Sequence, residues 1–273
     1  MEKEIKAAVY GFAVGDSLGV PYEFQERGFE FLEDNSPLIW SDDTAMTLAA
    51  WDSILRKGGI DLEDMMESFE KWYFKGKYTP NGITFGVGRT TAKAIESYHL
   101  HKDIENCGQR TIRDNGNGAL MRILPLLFVK CTAEEIDGVS GLTHNHAISK
   151  EGCRIYVEIG KRLLHGQDLR SILSKINVSE IYKRIPFLEK LSEDEIRSTG
   201  FVVDTLEAAI WCILKTGNYR DCIVKAIELG QDTDTTAAVA GGLAAIVYGY
   251  HSISKDWLEK LQGRERIAEY IGY

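Results

Sequence analysis

Two short runs concentrate oxygen ligands more densely than helix capping alone requires. Gln231-Asp232-Thr233-Asp234-Thr235-Thr236 sets two carboxylates two residues apart among hydroxyls and leads straight into the small apolar stretch Ala237 to Leu243. Trp40-Ser41-Asp42-Asp43-Thr44 does the same ahead of Ala45 to Trp51. Each run reads as a helix N-terminus, where free N–H groups and the positive end of the dipole hold carboxylates. Taken singly, either could be a cap and nothing more. Carboxylate and hydroxyl oxygens are also the donor set for a hard divalent cation. Two such runs, far apart in the chain, suggest a shared site that only the fold can assemble.

Other residues could complete such a site. Glu23 lies between Tyr22 and Phe24, a setting that raises a carboxyl pKa by desolvation. Asp16 reads as a solvated or capping carboxylate at the end of the first helix. Asp114-Asn115-Gly116-Asn117-Gly118 combines tight-turn residues with the start of a helix expected to run to about Pro125, or to kink there. Such a turn offers N–H groups to a phosphate. Tyr78 to Thr91 is a glycine-rich loop whose signal is weak by itself. His144 and His146 stand at a helix start, where hydrogen bonding is expected in preference to metal ligation.

The elements that must position these residues are helical. Apolar residues recur at helical spacing, strand-like alternation is scarce, and only five prolines interrupt 273 residues. A single mainly α domain over 1–273 is expected. The first helix spans Glu2 to Gly19, with Gly11, Gly15 and Gly19 at every fourth position, where another helix could approach closely. Ser41 caps a second helix, and Asp61 to Lys75 forms a third whose Met65, Met66, Phe69, Trp72 and Tyr73 face the core. Further helices are expected over Thr90–Tyr98 and Ala133–Val139, from an opening at Leu142 to Ala147 through Ile155, Ile159, Leu163 and Leu164, and over Thr205–Leu214. Tyr219 to Leu229 ends at Gly230, a natural stop, and a new helix begins inside the acidic run. Leu169 to Ile196 looks peripheral, and Lys255 to Tyr273 forms one or two amphipathic helices.

Composition narrows the function classes. A hydrophobic share of 44% with 27% charged residues suits a soluble protein with a sizeable core. The net charge of -9 argues against nucleic acid or an anionic membrane as partner. It leaves open a small anion held by N–H groups and metal. Five scattered cysteines without a CxxC pair suggest reduced thiols, a cytoplasmic setting and no zinc site.

In order along the chain stand Gly-Asp-Ser-Leu-Gly with Glu23, Ser-Asp-Asp-Thr, the Tyr-Thr-Pro-Asn-Gly loop, Asn-Gly-Asn-Gly-Ala-Leu-Met-Arg, Thr-His, and Gly-Gln-Asp-Thr-Asp-Thr. Together they resemble the ADP-ribosylglycohydrolase family over Gly11 to Gly249. The resemblance implies a compact all-α fold around a central cleft with two Mg²⁺ or Mn²⁺ ions. It implies Ser41, Asp42, Asp43 and Asp234 at one ion and Asp232, Asp234 and Thr235 at the other, with Asp234 bridging. Glu23, with Asp42 and Asp43, would serve catalysis. Asn115, Gly116 and Asn117 would hold the diphosphate, His144 would contact the ligand, and Gly86 would approach it by bare backbone. Where the dinitrogenase-reductase branch has a catalytic Asp, this chain has Gly86, which is similar to the serine-hydrolysing branch and points away from an arginine linkage. The expected reaction is hydrolysis of an ADP-ribosyl bond on a protein or small compound, by a monomer. Alternatives are a hydrolase of another ribosylated or phosphorylated metabolite, or a silent ADP-ribose-binding member.

Overall fold

Helix α1 (Glu2–Gly19) lies directly against the small-residue helix α10 (Thr233–Tyr248) in the computed structural model, which describes residues 1–271. The four-residue glycine spacing makes this possible. A Cβ added at Gly15 would stand 2.2 Å from the Ala237 carbonyl oxygen, and one at Gly19 would stand 2.4 Å from the Asp234 Cα. On the facing side, Gly241 approaches the Gly11 carbonyl oxygen equally closely. The backbones therefore meet without intervening side chains. The Thr233 hydroxyl adds a bond to the Gly19 carbonyl at 2.8 Å.

Around this pair stand α2 (Asp42–Lys57), α3 (Leu62–Lys75), α4 (Arg89–His101), α5 (Ala133–Gly141), α6 (Ala147–Leu164), α7 (Leu169–Leu173), α8 (Val202–Lys215) and α9 (Tyr219–Glu228). The C-terminal helices α11 (Lys255–Lys260) and α12 (Arg264–Ile271) follow. Among the described residues no β-ladder forms, only isolated bridges such as Gly116 with Phe201. The all-α expectation holds. The tail helices match their expected place, except that Gly272 and Tyr273 lie outside the described residues.

Caps set the boundaries as the sequence suggests. The Ser41 Oγ accepts from the Asp43 N–H at 3.3 Å, and Asp61 caps α3. His146 caps α6 by accepting from the Ile148 N–H at its Nδ1, the hydrogen-bonding role expected of it. Gly230 has φ +77° after α9, where an L side chain would be strained.

Two stretches differ from expectation. Asn117 to Arg122 is not the start of an α-helix. It is a 3₁₀ segment followed by another at Leu124–Leu127. Pro125 cannot donate to a longer helix, and the Thr47 hydroxyl takes the Met121 carbonyl at 2.8 Å. The Leu169 to Ile196 stretch is not merely peripheral. Ile172, Tyr182, Ile185 and Leu188 are fully buried in the one continuous hydrophobic core.

Gly15→Val should destabilise the protein by about 3 kcal/mol or prevent folding, because no small movement clears a backbone oxygen. Gly59→Ala, where an added Cβ meets nothing within 4 Å, should leave the denaturation midpoint nearly unchanged. Thermal unfolding of the two variants checks the seam.

Candidate active site

The seam brings two acids together. Asp16, Asp43 and Asp234 each offer a carboxylate oxygen, and these oxygens lie within 4.8 Å of one another. Asp16, read from sequence as a cap or a solvated acid, is fully buried and reaches from α1 to the start of α2. It accepts from the Ser41 N–H at 3.0 Å, the Thr44 N–H at 3.0 Å and the Thr44 hydroxyl at 2.6 Å. These bonds, most of them to Oδ2, let it anchor the Ser41-Asp42-Asp43 run. The Gly-Asp-Ser-Leu-Gly motif carried that signal, but a cap across 25 residues has no local sequence signature.

The Asp43 Oδ2 accepts from the Ser41 hydroxyl at 3.2 Å and the Thr235 hydroxyl at 3.4 Å, joining the two oxygen-rich runs. Its Oδ1 is buried without a partner, and so is the Oδ1 of Asp232. The Asp232 Oδ2 accepts from the Asn117 amide at 3.0 Å. Among the described residues, none of these carboxylates pairs with a Lys, Arg or His. Burial holds Asp42, Asp43 and Asp234 well above the usual carboxylate range, and neighbouring carboxylates add to it. Burial pushes Asp16 up to about 6 against its hydrogen bonds. Burial, with the charges of Asp232 and Asp16, pushes Glu23 up to about 7.

A cleft of about 420 Å³ opens over this cluster. Glu23, Asp42, Asp232, Asp234 and Thr235 form one end, while Gly116, Asn117, His144 and the α4 N-terminus form the other. Gly86 bends over the acidic end with φ +81°, and a Cβ there would stand 2.4 Å from the Asp42 Oδ1. Neither the conformation nor the space admits a side chain, so the loop reaches Asp42 by backbone alone. At the other end α4 begins at Gly88 without a side-chain cap, leaving N–H groups free at the cleft.

Of the residues expected at the site, Ser41 and Asp43 stand behind the cleft wall, in contact with residues that line it. Asn115 is turned away. Its Oδ1 accepts from the Ser149 N–H and hydroxyl, and its amide donates to the Ile112 carbonyl at 2.9 Å. Its side chain therefore holds the turn in place and does not face a ligand. Asn117 links the turn to Asp232 and to the Thr205 hydroxyl.

Residues 1–272 match the family model described as ADP-ribosylglycohydrolase. It belongs to the ADP-ribosylglycohydrolase family. An ADP-ribosylarginine hydrolase Tri1 from Serratia proteamaculans (strain 568) is 33% identical over 96% of this chain and 76% of that protein. An ADP-ribosyl-dinitrogen reductase glycohydrolase from Rhodospirillum rubrum is 29% identical over 93% of this chain and 88% of its own. A solved ADP-ribosylglycohydrolase-related protein complex superposes with a TM-score of 0.83 at 26% identity, covering 99% of this chain and 96% of that one. This ADP-ribosylglycohydrolase is thus a hydrolase of ADP-ribosyl glycosidic bonds.

At the mouth of the cleft stands a strained residue that sequence reasoning passed over. Phe24 has φ +67° and is 82% exposed. Its N–H donates to the Gln231 carbonyl at 2.7 Å, and the Gln231 N–H returns to the Gln25 carbonyl at 2.6 Å. This clasp ties the Glu23 segment to the run that begins α10. Phe24→Asn should raise stability by about 1 kcal/mol, since Asn tolerates the left-handed region and little burial is lost. Chemical denaturation of the two proteins measures it.

Proposed function

We propose that this chain releases ADP-ribose from ADP-ribosylated arginine on protein, with two divalent cations, Mg²⁺ or Mn²⁺, in the acidic end of the cleft. The observation that carries the reading is the buried carboxylate cluster without a basic partner. Like charges at this density hold one another protonated unless a cation offsets them. The orphaned oxygens of Asp43 and Asp232 fit that need, and the donors are all oxygen, as a hard cation requires. Ser41, Asp42, Asp43 and Asp234 would hold one ion, and Asp232, Asp234 and Thr235 the other. Bound there, the cations would supply Lewis acidity toward ribose hydroxyls and a water.

The chain's own residues do the rest. Glu23 borders the same end of the cleft as Asp232 and Asp234. Pushed up to about 7, its carboxyl can hold or take a proton near neutrality, as departure of the acceptor through an oxocarbenium-like transition state demands. Gly116, Gly118 and the free α4 N-terminus present N–H groups to the diphosphate, while the Asn117 N–H is held by the Gly200 carbonyl. Asn117, bonded to Asp232, keeps the phosphate end and the acidic end in register.

The arginine linkage rests on the Serratia proteamaculans hydrolase and on an ADP-ribosylarginine hydrolase Tri1 of Pseudomonas putida (strain GB-1), 31% identical over 97% of this chain. A serine linkage is the second reading. It is favoured by Gly86, which leaves no room for the acid that the dinitrogenase-reductase branch uses there. The five cysteines are free, as a reducing cytoplasm would keep them, and no described helix is long and apolar enough to cross a membrane.

Free ADP-ribose should appear from arginine-modified protein with Mg²⁺ or Mn²⁺ and stop on chelation. Release from serine-modified protein alone would favour the second reading, and release from neither would overturn both. Mn²⁺ should also raise the melting temperature of the wild type. Asp234→Asn should abolish that rise and Ser41→Ala only reduce it, because a bridging ligand touches both ions. Equal shifts in the two variants would count against bridging.

A further inference from the structure

Arg122 is a buried guanidinium with no carboxylate beside it. It has no exposed surface, and among the described residues it forms no ion pair. Burying a charge this way costs heavily unless something compensates. Its Nη1 donates to the Val139 carbonyl at 3.0 Å and its Nη2 to the Ser140 carbonyl at 3.4 Å. Both carbonyls belong to the last turn of α5, the negative end of that helix. The guanidinium also lies 4.8 Å from the centre of the Phe69 ring. Its Nε has no partner, so the arrangement is not optimised for Arg122 itself.

The remaining bond points to a different purpose. The Arg122 Nη2 donates to the Thr143 hydroxyl oxygen at 2.7 Å. The same oxygen lies 2.8 Å from the His144 Nδ1. A guanidinium has no acceptor, so the Thr143 oxygen must accept from it. The hydroxyl has one proton, and the remaining partner is Nδ1. A second lone pair could also accept from an Nδ1–H, but the buried hydroxyl proton would then have no partner among the described residues, so Nδ1 accepts and the neutral imidazole carries its proton on Nε2. The Cε1–Nε2 edge faces the anion-binding turn. A Cβ added at Gly118 would stand 2.7 Å from Cε1 and 3.3 Å from Nε2, and one at Gly116 would stand 3.5 Å from Nε2.

We propose that Arg122 is a positioning residue that acts through Thr143 to fix His144 as the neutral Nε2–H tautomer, so that the ring presents a donor to the diphosphate of the ligand. The opposite tautomer would aim a lone pair at phosphate oxygens. Burial, with the Arg122 charge, holds the imidazole down at about 3, which keeps the ring neutral and makes tautomer choice the variable that matters. The inference rests on the reading that the cleft takes ADP-ribose. It explains the Met-Arg and Thr-His motifs together, although neither Arg122 nor Thr143 lines the cleft.

Long-range ¹H–¹⁵N correlation spectra of histidine-labelled protein test the tautomer directly, with the His144 signals identified by their loss in His144→Gln. The wild type should show the Nε2–H pattern. Thr143→Val should shift His144 toward Nδ1–H or a mixture and weaken ADP-ribose binding, read by calorimetry, about tenfold. In turnover, KM should rise more than kcat falls. Thr143→Ser, which keeps the hydroxyl, should restore both tautomer and affinity. A merely structural Thr143 would lower the melting temperature and leave the tautomer unchanged. An Nδ1–H wild type, or a Thr143→Val protein with the wild-type tautomer and affinity, would overturn the proposal. Failure of the wild type to bind ADP-ribose would instead overturn the reading of the cleft, and the spectra would still decide the relay.

Discussion

The close approach of α1 and α10 is the constraint on which the rest depends. Glycines on both helices let backbone meet backbone, and this places Asp16 and Asp234 in one cluster. Had larger side chains held the helices at the usual spacing of about 8–10 Å, the two acids would not share a site. Asp16 then carries the arrangement to α2 by accepting three donors from its first turn. The Thr235 hydroxyl closes the circuit by reaching Asp43. Two helices near the start of the chain and one near its end thus bring their oxygens to one point.

Such a cluster is unfavourable as a piece of folding. Buried carboxylates without basic partners raise one another's pKa, and two buried oxygens remain without a hydrogen bond. The protein accommodates this by surrounding the acids with a large apolar core and with donors at the helix starts. It is the kind of local conflict that marks a site where ligand binding supplies what the chain withholds.

The two ends of the cleft work with opposite electrostatics. The acidic end suits cations and a reaction that builds positive charge on a sugar. The other end presents glycine-turn and helix-start N–H groups and a neutral imidazole, with the Arg122 charge set behind the wall. An anion can be held there without disturbing the acids nearby, because most of the donors are fixed dipoles. Asn117 spans the two ends through its bond to Asp232. The Phe24–Gln231 clasp fixes the Glu23 segment against the start of α10 at the expense of two residues with positive φ.

The helical class and most helix boundaries follow from local periodicity and caps, which depend on neighbours a few residues away. Ser41, Asp61 and Gly230 act as their types predict. The two acidic runs, and their likeness to one family, were also legible, because dense carboxylates and hydroxyls at a helix start are a local pattern. Tertiary structure decided what local pattern could not reach. Asn115 turned toward Ser149 and not toward a ligand, because the packing of α6 offered its Oδ1 two donors. The turn after it became 3₁₀, because the Thr47 hydroxyl takes a carbonyl of that segment and Pro125 has no N–H to extend a helix. His146 became a cap while His144, two residues earlier, entered the cleft. The role of Asp16 was hidden for the same reason as that of Arg122: each acts through hydrogen bonds to residues far along the chain. Sequence determines which groups are present and which backbone they favour. The juxtaposition of those groups, and so their pKa values, tautomers and ligands, is settled only when distant segments pack.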